Sequence, residues 1–132
     1  MVHRLSSRAL VSRALVALVL VAPFVLSVAC GGGTGGNSPE QAASGQKVFL
    51  GICATCHGKD ANGLPKLGKN LHNNEFVQSK TNDELLEFVK KGRPAFDPAN
   101  TRHVDMPPRG GNPALTDLDL ANVVAFVRSL QQ

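Results

Sequence analysis

Two cysteines three residues apart, with a histidine directly after the second, most limit how this 132-residue chain can fold. They are Cys53, Cys56 and His57, in the stretch FLGICATCHGKD. Cysteines at this spacing can ligate a metal, carry out thiol redox chemistry or hold a covalently attached group. These three kinds of site need different surroundings, so the rest of the chain decides between them.

Three segments of the chain combine a helix start signal with helical spacing of apolar residues. Each begins with a serine or threonine that can cap the helix, followed three positions later by a glutamine or an acidic residue, as in a capping box. No segment shows the alternation of apolar and polar residues that is typical of a β-strand. The sequence therefore predicts an all-α domain with three main helices over residues 39–132. The start signals are Ser38-Pro39-Glu40-Gln41, Thr81-Asn82-Asp83-Glu84 and Thr116-Asp117-Leu118-Asp119.

The connections between the predicted helices are long and rich in glycine, proline and asparagine. They cover residues 58–74 and 93–113, and such lengths are unusual in a small domain. Six phenylalanines, with no tryptophan or tyrosine, leave a thin apolar core. Small domains with too little core commonly depend on a disulfide, a metal or a similar support. We therefore expect something other than polypeptide to fill the middle of the domain.

Covalent haem attachment explains more of the sequence than the other kinds of site. Zinc would need two further ligands, and a thioredoxin-like dithiol would need a strand before Cys53. A disulfide would explain neither the histidine nor the thin core. Thioether bonds from Cys53 and Cys56 to a haem, with His57 beneath the iron, account for all of these observations. The sequence therefore predicts one covalently bound haem c.

The other axial ligand of the iron is expected from the loop before the last helix. Apart from the initiator, Met106 is the only methionine, and it lies in the loop sequence HVDMPPRGG. Methionines that fill a core more often lie on an amphipathic helix. The two prolines after Met106 also stiffen the backbone there. We therefore predict His57 and Met106 as the axial ligands, with His72 and His103 as alternatives to Met106.

The first thirty residues have the layout of an export signal. Three arginines precede an apolar run over residues 14–29, and Cys30 and a glycine-rich stretch follow. The run is shorter than the ~18 residues expected of a membrane-spanning helix. We therefore expect residues 1–29 to be a cleaved signal peptide. The position of Cys30 resembles the bacterial lipoprotein signal, which implies a lipid on Cys30 and a tether over residues 30–38. An ordinary soluble secreted protein is the alternative.

The charge distribution gives no indication of nucleic acid as a partner. Three of the fourteen basic residues lie in the expected signal peptide, whereas all ten acidic residues follow it. The mature chain therefore carries eleven basic and ten acidic residues, without a basic patch interleaved with aromatic residues. Four lysines nevertheless cluster in sequence near the CxxCH motif and could steer an acidic redox partner. They are Lys47, Lys59, Lys66 and Lys69.

At these residues the chain resembles the class I cytochromes c. The resemblance covers nearly all of residues 38–132 and is carried by GQKVFLGICATCHG, GKNL, DMPP and LTDLDLANVVAFVRSL. It implies the cytochrome c fold, with three main helices and long loops around the haem. In that fold the first helix crosses the last one through a glycine and an aromatic residue, matched here by Gly45 and Phe49. Val123 and Phe126 match their partners in the last helix.

The resemblance also implies a hydrogen bond from the proximal imidazole to a backbone carbonyl. The family often has a proline at the position of Lys69 and uses its carbonyl for this bond. Since any residue offers a carbonyl, we expect the carbonyl of Lys69 to replace that of the proline.

An iron ligated by histidine and methionine has no open site, which indicates an electron carrier and not an enzyme, with no catalytic residue and no small-molecule substrate. Less specifically, the chain resembles lipoprotein cytochromes of bacterial quinol-oxidising complexes such as alternative complex III. This implies a carrier on the outer face of the cytoplasmic membrane that exchanges electrons with a membrane oxidoreductase complex or another redox protein. The alternative is a haem gas sensor or peroxidase-like enzyme with an open iron site.

Overall fold

The computed structural model describes residues 36–132, and this part of the chain is helical. The expected signal peptide, Cys30 and most of the expected tether lie outside the described residues. Within residues 36–132 there is no β-strand, and one isolated antiparallel bridge joins Arg93 to Met106. The all-α prediction is confirmed. The elements are α1 (Pro39–Val48), a π-helical turn (Phe49–Cys53), α2 (Ala54–His57), α3 (Glu75–Gln78), α4 (Asn82–Lys91), a 3₁₀ turn (Pro108–Gly111) and α5 (Asp117–Ser129).

The three predicted helix starts all form capping boxes. Before α1, the Ser38 hydroxyl accepts a hydrogen bond from the Gln41 backbone N–H at 3.2 Å. The Gln41 side chain in turn accepts one from the Ser38 N–H at 3.1 Å. Thr81 starts α4 and Thr116 starts α5 with the same reciprocal pair. Because each box satisfies backbone donors that a helix leaves unpaired, losing its cap residue costs about 1 kcal/mol.

The first helical segment runs without interruption from Pro39 to His57. It consists of α1, the π-helical turn and α2, so both cysteines and the histidine of the motif lie on one continuous rod. The π-helical turn changes the helical repeat where the motif begins, since Cys53 is its last residue, and such turns are common at functional sites. The segment ends at Gly58, whose φ of 77° favours glycine.

The first and last helices meet at a point where their backbones touch. A Cβ on Gly45 would lie 1.8 Å from the backbone oxygen of Asn122 in α5, so the crossing requires glycine. One turn later, the fully buried ring of Phe49 packs against Phe126 with 5.1 Å between ring centres. Val123 belongs to the same buried cluster. The crossing residues expected from the resemblance are therefore in contact.

A second apolar cluster joins the middle helices to α5. Its buried members are Val77 in α3, Leu85 in α4 and Val124 in α5. The side chain of Arg128 in α5 closes this region by donating hydrogen bonds to the backbone carbonyls of Val77 and Lys80. The charge of Arg128 thus lies at the C-terminal end of α3, where carbonyl groups lack helical partners.

Candidate haem site

Residues from both apolar clusters line a cavity of about 650 Å³ in the described part of the chain. Cys53, Cys56 and His57 lie along its wall, and so does Met106 from the distant loop. The structure therefore brings together the four residues that the sequence analysis selected around the iron. Cys30, the expected lipid site, lies outside the described residues.

Both motif cysteines are unpaired and half-buried. Burial raises the pKa of the Cys53 thiol, and the neighbouring Cys56 thiol adds to this shift. A raised thiol pKa disfavours the thiolate that redox exchange requires. Within residues 36–132, no group of three or more histidine, cysteine or acidic side chains is placed to hold a metal ion. The surroundings of the cysteines therefore fit neither a zinc site nor a reactive dithiol.

The ring of His57 is oriented by a backbone carbonyl from the following loop. Its Nδ1 atom lies 2.9 Å from the carbonyl oxygen of Lys69. Since a carbonyl can only accept a hydrogen bond, Nδ1 carries the proton and Nε2 keeps its lone pair. The expected replacement of the family's proline by Lys69 is present in the structure.

Gly68 allows the loop to come this close to His57. A Cβ on Gly68 would lie 2.6 Å from the carbonyl oxygen of Cys56 and 2.9 Å from Nδ1 of His57. The backbone N–H of Gly68 instead donates a 3.0 Å hydrogen bond to that Cys56 oxygen. The loop thus folds back against the end of α2 and carries the carbonyl of Lys69 with it.

Met106 is positioned by its backbone. It exchanges two hydrogen bonds of 2.8 Å with Arg93, which follows α4. Between α4 and Arg93, Gly92 has a φ of 70°, and a Cβ there would lie 2.2 Å from the carbonyl oxygen of Met106. Position 92 therefore requires glycine, both for its backbone angle and for its lack of a side chain. The end of α4 fixes where the Met106 backbone lies.

The two alternative ligands have other surroundings. His72 lines the cavity, and its Nε2 lies 2.8 Å from the carbonyl oxygen of Asp60, so that nitrogen is the hydrogen-bond donor and only Nδ1 could ligate a metal. His103 is exposed, with a φ of 54°, and does not line the cavity formed by residues 36–132. His103 thus lies away from the cavity, whereas Met106 and His72 both line it.

The sequence analysis missed two residues of the Met106 loop. The guanidinium group of Arg93 lies 4.8 Å from the ring centres of both Phe76 and Phe88, a double cation–π contact. Asn100 is buried, with 6% of its surface exposed. A lone arginine and a lone asparagine in a polar loop carry no sequence signal that could have singled them out.

The residues around the cavity fit a covalently bound haem. The walls are mainly apolar, as the macrocycle requires, and core side chains such as Leu85 and Val124 contribute to them. Two thiols, an imidazole and a neutral thioether belong to residues that line this same cavity. These are the groups that attach a haem covalently and ligate its iron. This cavity lies between the two apolar clusters, where the sequence analysis expected a group other than polypeptide.

Comparison with known proteins agrees with this chemistry. Residues 40–127 match the family described as cytochrome c oxidase, cbb3-type, subunit III. The chain belongs to this family of c-type cytochromes. It therefore carries covalently bound haem c and is an electron-transfer cytochrome. The match begins in α1 and ends in α5. It includes the four cavity-lining residues that are expected to bind the haem, Cys53, Cys56, His57 and Met106.

Individual relatives of this cytochrome are of two kinds. It is 34% identical over 94 residues to the cbb3-type cytochrome c oxidase subunit CcoP of Rubrivivax gelatinosus, which covers 71% of this chain but 27% of the relative. It is 31% identical over 88 residues to cytochrome c-555 of Chlorobaculum thiosulfatiphilum, covering 65% of this chain and 92% of the relative. The chain thus spans under a third of the first relative and nearly all of the second. No solved structure matches the cytochrome at a significant level.

No helix within residues 36–132 of the cytochrome is both long and apolar enough to cross a membrane.

Proposed function

We propose that this cytochrome carries single electrons through a haem that is bonded to Cys53 and Cys56 and ligated by His57 and Met106. The observation that carries the proposal is that all four side chains line one cavity, with His57 oriented by the carbonyl of Lys69 at 2.9 Å. When bound, the haem supplies a one-electron redox couple. The polypeptide supplies the bonds, the orientation and the apolar walls.

His57 is oriented for this role by contacts with the polypeptide. The bond from Nδ1 to Lys69 fixes both the tautomer and the plane of the ring. The ring also lies 6.4 Å from the buried ring of Phe49, measured between centres. Because Phe49 packs against α5, the imidazole is supported from the core of the domain.

Met106 completes the coordination in this proposal. A thioether is neutral and soft, and a second axial ligand of this kind closes the site to small molecules. The backbone hydrogen bonds with Arg93 hold Met106 beside the cavity. This closure favours electron transfer over the alternative of a gas sensor or peroxidase-like enzyme.

The surface next to the motif supports a protein partner. The four lysines near the motif, Lys47, Lys59, Lys66 and Lys69, are all exposed. Leu64 and Leu67 are also exposed, at 36% and 38%, in the turn that bonds back to Cys56. Positive charge around apolar side chains would steer and then hold an acidic redox partner.

The partner that we propose is a membrane oxidoreductase complex. Relatives bear the name of a cbb3-type oxidase subunit, and the sequence also resembles cytochromes of quinol-oxidising complexes such as alternative complex III. The cytochrome would act as a shuttle between such complexes or as a small subunit of one. Affinity purification after mild detergent extraction, at low and high salt, tests this proposal. Recovery of oxidoreductase subunits at low salt supports it, and their absence at both salt concentrations contradicts it.

We further propose that the chain is exported and anchored by a lipid on Cys30 to the outer face of the cytoplasmic membrane. Confinement there raises the effective concentration of the cytochrome near membrane-embedded partners. Cys30→Ser should release the protein into the soluble fraction with its haem content unchanged. Continued membrane association of this variant would contradict the lipid anchor.

The ligand set is tested by Met106→Ala in the haem-loaded protein. Loss of the thioether should abolish the weak far-red absorption band that marks methionine ligation of ferric haem, and should lower the reduction potential. It should also let cyanide bind quickly to an iron that the unsubstituted protein protects. His103→Ala is the matched control and should retain band and potential. If Met106→Ala keeps both, the ligand is a different residue and the open-site alternative gains support.

A further inference from the structure

Asn100 is the one buried polar residue in the part of the chain that the structure describes, with 6% of its surface exposed. It lies in the loop between α4 and Met106, where most neighbouring residues are at least partly exposed. A buried amide is costly unless its donors and acceptor are all used. The contacts of this side chain therefore indicate what it is for.

The Asn100 side chain bonds to four backbone groups in two separate stretches of the loop. Its Nδ2 donates to the carbonyls of Arg93 at 3.4 Å and Pro94 at 3.0 Å on one side, and to Val104 at 2.7 Å on the other. Its Oδ1 accepts from the backbone N–H of Arg102 at 3.2 Å. Three carbonyl acceptors require the amide nitrogen at this position, so the orientation of the amide is fixed.

These two stretches are the ones that hold Met106. Arg93 is the backbone partner of Met106 in the antiparallel bridge, and Val104 lies two residues before Met106. A single pair of hydrogen bonds is a weak anchor, worth about 1 kcal/mol per bond. The Asn100 side chain joins the same two stretches of the loop a second time, next to the bridge.

We propose that Asn100 is a positioning residue for Met106, which it keeps beside the haem by holding the two sides of the loop together. This inference rests on the proposed function, in which Met106 ligates the iron. Asn100 does not act on the iron itself. Its contribution is to make the loop rigid enough that the thioether returns to the same place each time it dissociates.

Competition with imidazole in the haem-loaded protein tests the proposal. Imidazole replaces the methionine on ferric haem, and the far-red band then disappears. In Asn100→Ala, half of the band should be lost at about a tenfold lower imidazole concentration, because the loop opens more easily. Asn100→Asp keeps the shape but directs a carboxylate at three carbonyl oxygens, so the decrease should be at least as large. An unchanged midpoint in both variants would overturn the proposal.

A control separates positioning from general stability. Arg128→Ala removes three hydrogen bonds from α5 to the middle of the chain, two of them to backbone carbonyls, and Arg128 does not line the cavity. This variant should unfold more easily but keep its imidazole midpoint. If Arg128→Ala shifts the midpoint as far as Asn100→Ala does, Asn100 has only a structural role and the proposal fails.

Hydrogen exchange in the unsubstituted protein covers the case in which the Asn100 variants do not fold. The Arg102 amide, which bonds to Oδ1 of Asn100, should be protected and should open together with the Met106 amide. Free exchange of the Arg102 amide beside a protected Met106 amide would overturn the proposal.

The parent proposal fails in a distinguishable way. If the unsubstituted protein has no far-red band, or Met106→Ala keeps it, the ligand assignment is wrong. If Met106→Ala removes the band and Asn100→Ala leaves the imidazole midpoint unchanged, only the role of Asn100 is wrong.

Discussion

The two sides of the cavity are built differently. His57 ends a continuous helical segment that is fixed to α5 by the Gly45 crossing and by the buried ring of Phe49. Met106 lies in a long loop whose two sides are joined by one backbone bridge, by the side chain of Asn100 and by a hydrogen bond from the Ala95 N–H to Asp105. The His57 side is held by core packing and, in our proposal, by two covalent bonds to the haem, whereas the Met106 side is held by hydrogen bonds.

This difference teaches where the coordination is strong and where it can be adjusted. Changes on the His57 side should affect whether the domain folds and holds haem at all. Changes on the Met106 side should leave haem in place but alter ligation and potential. The following experiments test this division, in order of decreasing expected effect.

The largest effect is expected from the cysteines. Cys53→Ala or Cys56→Ala removes one thioether bond, and without firmly held haem the domain lacks the centre of its core. Most of the covalent haem should be lost, as measured by mass spectrometry of the denatured protein. Thr55→Ala, an exposed residue between the two, should keep full haem content. Full haem content in either cysteine variant would contradict covalent attachment at both positions.

The helix crossing should be the next most sensitive point. Gly45→Ala places a methyl group 1.8 Å from a backbone oxygen of α5, which must shift. We expect a loss of about 3 kcal/mol or more in the free energy of unfolding, measured by chemical denaturation of the haem-loaded protein. At Gly51, on the same helical segment, a Cβ would meet nothing within 4 Å. Gly51→Ala should therefore change stability by less than about 1 kcal/mol, and equal losses in the two variants would refute the crossing argument.

On the Met106 side, Gly92→Ala should separate ligation from haem content. The new Cβ would lie 2.2 Å from the Met106 carbonyl oxygen in a backbone conformation that disfavours alanine. The expected loss is about 2 kcal/mol of stability, with the far-red band weakened and covalent haem retained. Gly111 also has a positive φ, 87°, but a Cβ there would find ordinary contacts. Gly111→Ala should cost about 1 kcal/mol of stability and keep the far-red band. If Gly92→Ala and Gly111→Ala lose the band equally, the loss does not come from a clash with Met106.

The smallest effect is expected from the ion pairs beside the Met106 loop. Hydrogen bonds from Arg109 and then Lys90 lower the pKa of Asp117 below its ordinary value. A lowered pKa stabilises the folded state above the ordinary carboxyl pKa, and this stability is lost as the pH falls through the lowered value. Asp117→Asn should therefore flatten the decline in stability below about pH 4. Because Asp117 is exposed, the difference should be small and should vanish at high salt; a difference that persists at high salt would show another origin.

Local signals explain why much of the fold could be predicted. The capping boxes at Ser38, Thr81 and Thr116 act within four residues, so the sequence shows them directly. The short helix α3 also has a local start signal, which the sequence analysis missed. Asn74 caps it, and its side chain accepts a hydrogen bond from the Val77 N–H. The π-helical turn over Phe49–Cys53 has no such local signal, since no side chain caps it.

The sequence alone determined the chemistry of the site. The spacing of Cys53, Cys56 and His57 and the rarity of methionine limit which groups can meet a haem, because few side chains in the chain have the required sulfur or imidazole atoms. The tertiary structure decided how they are held. Every residue has a carbonyl and many loops contain asparagine, so only folding determines that Lys69 orients His57 and that Asn100 joins the two sides of the Met106 loop. The residue type determines side-chain chemistry, whereas backbone contacts between residues distant in sequence depend on how the chain folds.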